Sequence, residues 1–366
     1  MIISDVSLES YRWPRLKPIR NGRYIYPNSG LDIVKIETKD GITGVGLAGG
    51  GGGDDVGIRR EILERLKMYV IGQDPFDTER IWDEMWQPKL VGRRGMTTHV
   101  VSGIDIALWD LKGKITGKPV HKLLGGYTDN IPVYIAGGYY EEGKSLEDLT
   151  HEMQEALSLG ATAVKMKIGG VSIAEDVERV KVVREAIGAD AKLMVDANCA
   201  YRYYEAIEIA KRIEGYDIFW FEEPVNPDDY RGHKLISEST IIPIATGENE
   251  YTKYGFRDLI ETRSAAILQP DALVMGGITE FIKVAGMAQS HDLPIAAHGT
   301  QEVHIQLMAA IPNGLILEYY STSTDPLRGE MFLNELKVKD GFVQPPQTVG
   351  MGMEPNYRVL SKYRVR

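Results

Sequence analysis

The sequence predicts an α/β protein, a (β/α)8 barrel of the TIM type behind an α+β N-terminal capping domain that the C-terminal segment completes. Three observations carry this reading. From residue 131 onward, short apolar runs alternate with amphipathic helical segments eight times in about 190 residues, the arithmetic of an eightfold βα repeat. Residues 1–125 follow a different grammar, strands first and helices after. An ionisable side chain also recurs at the C-terminal end of successive barrel strands, the end at which barrels carry their chemistry.

Taken in order, LDIVKIETKDGITGVGLA alternates around Asp40-Gly41, a hairpin signal. Gly49 to Gly53 form a glycine run. No Gly-Lys-Ser/Thr follows it and no G-x-G-x-x-G opens a helix, so a phosphate loop is disfavoured. A flexible loop, compatible with a mobile lid, is the better reading. Residues 58–125 are helical by the amphipathic period of REILERLKMYV and SGIDIALWDLKGKITG. The barrel strands are then PVYIAGG, ATAVKMKIG, AKLMVDAN, IFWFEEP, IPIATGEN, AAILQPD, LPIAAHG and GLILEYY, separated by helices such as IAEDVERVKVVREAIG and YEAIEIAKRIEG. This divides the chain into a capping domain at 1–128, a barrel at 129–330, and a segment at 331–366 expected to pack back on the cap.

Composition narrows the function classes. With 366 residues, 43% of them hydrophobic, the chain can bury a large core and more than one domain. A net charge of −10 without a Lys/Arg-rich tract argues against nucleic acid or an anionic membrane as partner. No apolar run is long enough to span a bilayer, and MIISDVSLES lacks the pattern of a signal peptide. The single cysteine, Cys199, excludes an internal disulfide framework. The expectation is a cytoplasmic enzyme, forming a closed homo-oligomer by default.

The strand ends sort by chemistry. Strand two carries Lys165 and Lys167, strand three Asp196, strand four Glu222-Glu223, strand five Glu248, strand six Asp271, strand seven His298 and strand eight Glu318. Asp196, one of Glu222 and Glu223, and Glu248 offer three hard oxygen ligands from adjacent strands, a ligand type suited to Mg²⁺ with positions left for substrate oxygens. Alternation in IFWFEEP does not choose between the two glutamates, because both faces are apolar. No H-x-H, H-E-x-x-H or G-x-S-x-G is present, which disfavours zinc and serine hydrolases.

Lys165 and Lys167, two residues apart, point the same way. Unpaired, they would be expensive to bury, and an edge strand with a wet face is the bland alternative. Facing a divalent cation and an anionic substrate, they are paired. Lys165 can neutralise a substrate carboxylate oxygen. Lys167, crowded by a second ammonium and the metal, should lose its proton more easily than a free lysine and act as general base. Asp271 and His298, on adjacent strands, can form a hydrogen-bonded pair that orients the imidazole and raises its basicity.

With K-M-K, D-A-N, F-E-E-P, G-E-N, Q-P-D and A-H-G, preceded by SGIDIALWDLKGK and KPVHKLLGG, the sequence resembles the enolase superfamily, specifically its mandelate racemase subgroup. The resemblance implies Asp196, Glu222 and Glu248 as metal ligands. It implies Lys167 and His298 as bases with Lys165 and Asp271 as partners, and Glu318 as the acid that hydrogen-bonds a developing enediolate. Asn198 has a counterpart in the subgroup, though a turn residue reads equally well there. The shared chemistry is removal of the proton α to a carboxylate, with two cap loops, about 14–30 and 47–57, choosing the substrate.

The first loop, PRLKPIRNGRYIYPNSG, is polar, with Lys17, Arg20, Arg23, Tyr24 and Tyr26. That suits a polyhydroxylated or doubly acidic small molecule better than an aromatic acid. For such a substrate the resemblance to the subgroup implies dehydration of a sugar acid to a 2-keto-3-deoxy acid. Racemisation or cycloisomerisation of an acid-sugar lactone is the alternative, and a non-catalytic metal-binding barrel the remote one.

Overall fold

The computed structural model describes residues 1–50, 53, 55–87, 92–322 and 325–366. Gly51, Gly52 and Asp54 of the second predicted loop lie outside the described residues. The chain begins with a three-stranded antiparallel meander, β1 (Ile3–Arg20), β2 (Ile25–Thr38) and β3 (Thr43–Ala48). The Asp40-Gly41 turn joins β2 to β3, with Gly41 at φ +81°, a conformation glycine adopts without steric cost. Residues 14–30, expected as a loop, are the distal arm of the β1–β2 hairpin, interrupted between Pro14 and Ile19 by a shift in register. Among the described residues four helices follow: α1 (Val56–Val70), α2 (Thr78–Met85), α3 (Met96–Thr116) and α4 (Val120–Leu123). Their apolar faces meet one face of the sheet in a core of Ile3, Val34, Ile36, Leu63, Trp82, Ile104 and Leu108.

Seven parallel strands then curl into a barrel: β4 (Ile131–Ala136), β5 (Ala163–Lys167), β6 (Lys192–Asp196), β7 (Ile218–Glu222), β8 (Ile244–Thr246), β9 (Ile267–Leu268) and β10 (Leu317–Tyr320). Their spatial order is β10-β4-β5-β6-β7-β8-β9. The seventh expected strand, LPIAAHG, is reduced to Ile295, which bridges to Leu268 on one side and Gly314 on the other and so closes the ring. Pro294 beside it has no N–H to donate to a ladder. Helices α5 (Leu146–Ser158), α6 (Ile173–Ile187), α7 (Tyr203–Ile213), α8 (Tyr230–Ser237), α9 (Thr252–Thr262), α10 (Ile278–Gln289) and α11 (Gln301–Met308) cover the outside. Ser145 and Ser172 start α5 and α6 with reciprocal capping boxes to Asp148 and Glu175.

Both faces of the barrel strands are buried, as parallel sheets require. The inner face stacks Tyr134, Met194, Trp220, Ala245, Ile267, Ala296 and Ile316 along the axis. After β10 the chain touches both layers. β11 (Phe342–Val343) pairs antiparallel with β4, α12 (Tyr357–Leu360) follows, and β12 (Arg364–Val365) adds a fourth strand beside β1. Among the described residues no helix is long and apolar enough to cross a membrane.

Candidate active site

Strand register builds the site. Lys167 pairs across from Asp196, and Asp196 from Glu222, so three charged side chains lie at one level on β5, β6 and β7. All three are the last residues of their strands, and alternation turns them toward the axis. Trp220, two residues before Glu222, belongs to the inner stack. The same parity puts Glu222 inside, whereas Glu223 turns away at φ +40° and accepts a hydrogen bond from Asn249 Nδ2 at 2.8 Å. Glu248 follows β8 by two residues and completes a cluster with Asp196 and Glu222 whose ligand atoms all lie within 4.8 Å of one another.

The lysines face these carboxylates. Lys165 Nζ lies 2.6 Å from Glu222 Oε1, 2.8 Å from Glu318 Oε1 and 3.6 Å from Asp196 Oδ2. Lys167 forms an ion pair with Asp196 Oδ2 and stands 5.1 Å from the centre of the Tyr139 ring. Burial, the largest single effect, pushes the Lys167 pKa down, but Asp196, Tyr139 and Glu248 together outweigh it and the net direction is up. Within the protein alone, Asp196 stabilises the ammonium more than Lys165 repels it, and the expected easier loss of the proton rests on the charge of a divalent cation. Burial and then the charge of Asp196 push the Glu222 carboxyl up to about 8. Burial acts the same way on Glu318, but Lys165 and His298 outweigh it and hold that carboxyl below its usual range.

Across the mouth, His298 Nδ1 lies 3.0 Å from Asp271 Oδ2, forming the expected dyad. Its Nε2 is 3.4 Å from Glu248 Oε2 and 3.7 Å from Glu318 Oε2. Burial lowers the imidazole pKa, yet Glu248, Glu318 and Asp271 together hold it well above its ordinary value. Asp271 is fixed in turn by the Leu273 N–H at 2.8 Å. The buried His304 lies 3.4 Å from its other face. Asn198, at φ +43°, donates its backbone N–H to Asp196 Oδ1 at 2.8 Å. Its own side-chain Oδ1 is buried without a hydrogen-bond partner, as is Glu248 Oε2.

The donor set fits a hard divalent cation. Three carboxylates converge from adjacent strands, one of them with an unsatisfied buried oxygen, and no sulfur or imidazole stands among them.

The hairpin arm places the expected substrate contacts differently from one another. Lys17 is exposed and borders a surface groove with Glu141, Lys144 and Asp148. Arg20 is committed to the Gly170 carbonyl at 2.8 Å and the Tyr140 ring at 4.8 Å, holding the arm to the β5 exit. Tyr24, just before β2, is 55% exposed. Arg23 reaches the rim and donates to the Cys199 carbonyl at 3.2 Å. Tyr26 is the aromatic residue of the arm whose hydroxyl feels Lys167, Glu248 and Asp196, after the larger effect of burial. Asn21 Nδ2 holds that hydroxyl at 3.0 Å.

Tyr134, Tyr139, Trp220, Gln269 and Tyr320 around the site escaped the sequence reading. Trp220 and Gln269 each stand two residues before a singled-out acid, and Tyr320 two after one. Parity counted outward from the charged positions was the signal that could have found them.

Two family descriptions match the chain: mandelate racemase / muconate lactonizing enzyme, N-terminal domain, over residues 4–125, and enolase C-terminal domain-like over residues 148–359. The chain belongs to the enolase superfamily, in its mandelate racemase and muconate lactonizing branch. It is 35% identical to an arabinonate dehydratase from Saccharolobus solfataricus, over 92% of this chain and 91% of that one. It is 33% identical to a 3,6-anhydro-alpha-L-galactonate cycloisomerase from Streptomyces coelicolor, over the whole of both. Among solved structures, a racemase from Streptomyces coelicolor A3(2) with bound magnesium superposes over the whole of both chains, with a TM-score of 0.92 and 32% identity.

Proposed function

We propose that this protein is a Mg²⁺-dependent acid-sugar dehydratase that removes the proton α to a carboxylate and then expels a β-hydroxyl as water. The observation that carries the reading is the level of Lys167, Asp196 and Glu222 across three strands, with the Asp271–His298 dyad on the other arc of the ring. Asp196, Glu222 and Glu248 are the residues that would hold the cation. When bound, it supplies Lewis-acid stabilisation of the charge that gathers on the substrate carboxylate.

Lys165 adds a fixed positive charge beside the same carboxylates, and Glu318 spans the space between Lys165 and His298. Lys167 takes the α proton once its amine is neutral, which requires that Asp196 no longer be its private counter-ion. His298, held protonated by its acidic neighbours, gives its Nε2 proton to the departing hydroxyl, which leaves as water. Tyr26 and Arg23 at the rim suit further hydroxyls. The relative named an arabinonate dehydratase supports loss of water as the outcome.

A second reading, cycloisomerisation of an acid-sugar lactone, is favoured by the full-length match to a cycloisomerase. The same two bases serve it, with ring opening in place of water loss. Incubation with a library of mono- and diacid sugars, followed by 2-keto detection and NMR, separates them. A 2-keto-3-deoxy acid from at least one open-chain acid supports dehydration. Turnover of lactones alone would put the second reading first, and no α-proton exchange on any acid would remove both. We also propose a cytoplasmic homo-oligomer, on composition and the general prevalence of closed symmetric assemblies, which light scattering on the purified protein checks.

A further inference from the structure

Glu222 has two oxygens in different company. Oε1 faces Lys165 at 2.6 Å. Oε2 accepts two neutral hydrogen bonds, from Trp220 Nε1 at 2.9 Å and from Gln269 Nε2 at 2.8 Å. All three residues are fully buried. Trp220 is the largest buried side chain of the inner stack, set edge-on against Tyr134 with ring centres 5.2 Å apart. An indole N–H in that position needs an acceptor, and a buried carboxylate oxygen needs donors. Two neutral donors satisfy the oxygen without adding a second counter-charge to that of Lys165, which a lysine or arginine in either place would do.

We propose that Trp220 and Gln269 are positioning residues for Glu222. They commit Oε2 to the barrel interior, lock the carboxylate rotamer, and leave Oε1, beside Lys165, as the oxygen available to the divalent cation. This rests on the reading of Asp196, Glu222 and Glu248 as the cation site. Hydrogen-bond partners that orient a ligand typically change metal affinity by about 10- to 100-fold when removed.

The test is calorimetric and EPR titration of the full-length protein with Mn²⁺, for the wild type, Trp220→Phe, Gln269→Leu and Val183→Ala. The last truncates a buried residue of the outer core, away from the site, and controls for loss of stability. The expected result is Mn²⁺ binding weakened about 10- to 100-fold in Trp220→Phe and Gln269→Leu, and unchanged in Val183→Ala. Gln269→Leu is close to isosteric and carries the test alone should Trp220→Phe not fold. Wild-type affinity in Gln269→Leu would overturn the proposal, and so would an equal loss in Val183→Ala. A wild-type protein that binds no Mn²⁺ would instead overturn the cation reading beneath it.

Discussion

At the scale of single residues, the site is an excess of buried acids balanced by two ammonium groups. A carboxylate left in such a cluster without counter-charge is costly, so each acid should be sensitive to removal of its charge. Asp196→Asn and Glu248→Gln are expected to abolish turnover. EDTA should do the same to the wild type, and added Mg²⁺ should restore activity to the wild type but not to the variants. Circular dichroism should report a native fold throughout, because these side chains sit at the barrel rim. Full activity in metal-free protein would remove the mechanism. His298→Asn separates the two proton steps. Turnover should fall by about 10²–10⁴-fold, the usual weight of a general acid. Exchange of the α proton with D₂O should persist if Lys167 abstracts it. Normal turnover in both His298→Asn and Lys167→Ala would show that neither side chain is a base.

At the scale of elements, close packing of backbone on backbone sets the cap. Helix α3 lies directly on β3, and the contact is made by glycines. A Cβ on Gly46 would fall on the Gly103 carbonyl oxygen and within 2.6 Å of the Ala107 nitrogen, and a Cβ on Gly103 within 2.7 Å of Val34 Cγ2. The atoms in the way on α3 are main chain and cannot swing aside. Gly46→Ala should therefore destabilise the protein by ~1–3 kcal/mol or more, as overpacking does. A lowered urea midpoint with an unchanged slope checks it. An unchanged midpoint would mean that the helix can lift off the strand at little cost.

At the scale of the whole molecule, cap and barrel share a hydrogen-bonded joint at residues 276–279. Trp82 Nε1 donates to the Gly276 carbonyl at 2.7 Å, and the Gly276 N–H donates to Ser102 at 2.9 Å. Asp105 of α3 accepts from the Thr279 N–H at 2.9 Å and its hydroxyl at 2.6 Å, serving the start of α10 from another domain. The same loop carries Asp271, and the Gly49 N–H donates to its Leu273 carbonyl at 3.0 Å, so cap position and dyad are mechanically linked. Burial pushes the Asp105 carboxyl up to about 7, against the pull of its bonds to Thr279.

The sign follows from linkage. A folded-state pKa above the unfolded value favours folding most below about pH 4. That contribution is lost as pH rises toward 7, at a cost on the order of a few kcal/mol. Asp105→Asn keeps an acceptor without the charge. It should flatten the fall in melting temperature between pH 4 and 7 and melt higher than the wild type above pH 7. Parallel pH profiles for the two proteins would count against a buried, uncharged Asp105.

Much of this was legible in one dimension. The eightfold repeat, the acids and lysines at strand ends, and the adjacency of Asp271 and His298 are encoded in windows of a few residues, where strand parity and βα alternation act locally. The tertiary structure decided what depends on register and on pairs far apart in the chain. It turned Glu222 inward and Glu223 away, and it gave Glu222 the partners Trp220 and Gln269. It reduced the seventh strand to one bridged residue beside a proline. It brought Tyr26 of the hairpin arm, and neither Lys17 nor Tyr24, within electrostatic reach of the site. It also paired the Lys167 ammonium with Asp196, a side chain of the neighbouring strand. Residue type and period name the chemistry at each strand end, while the choice of partner is set by which strands lie side by side and at what stagger.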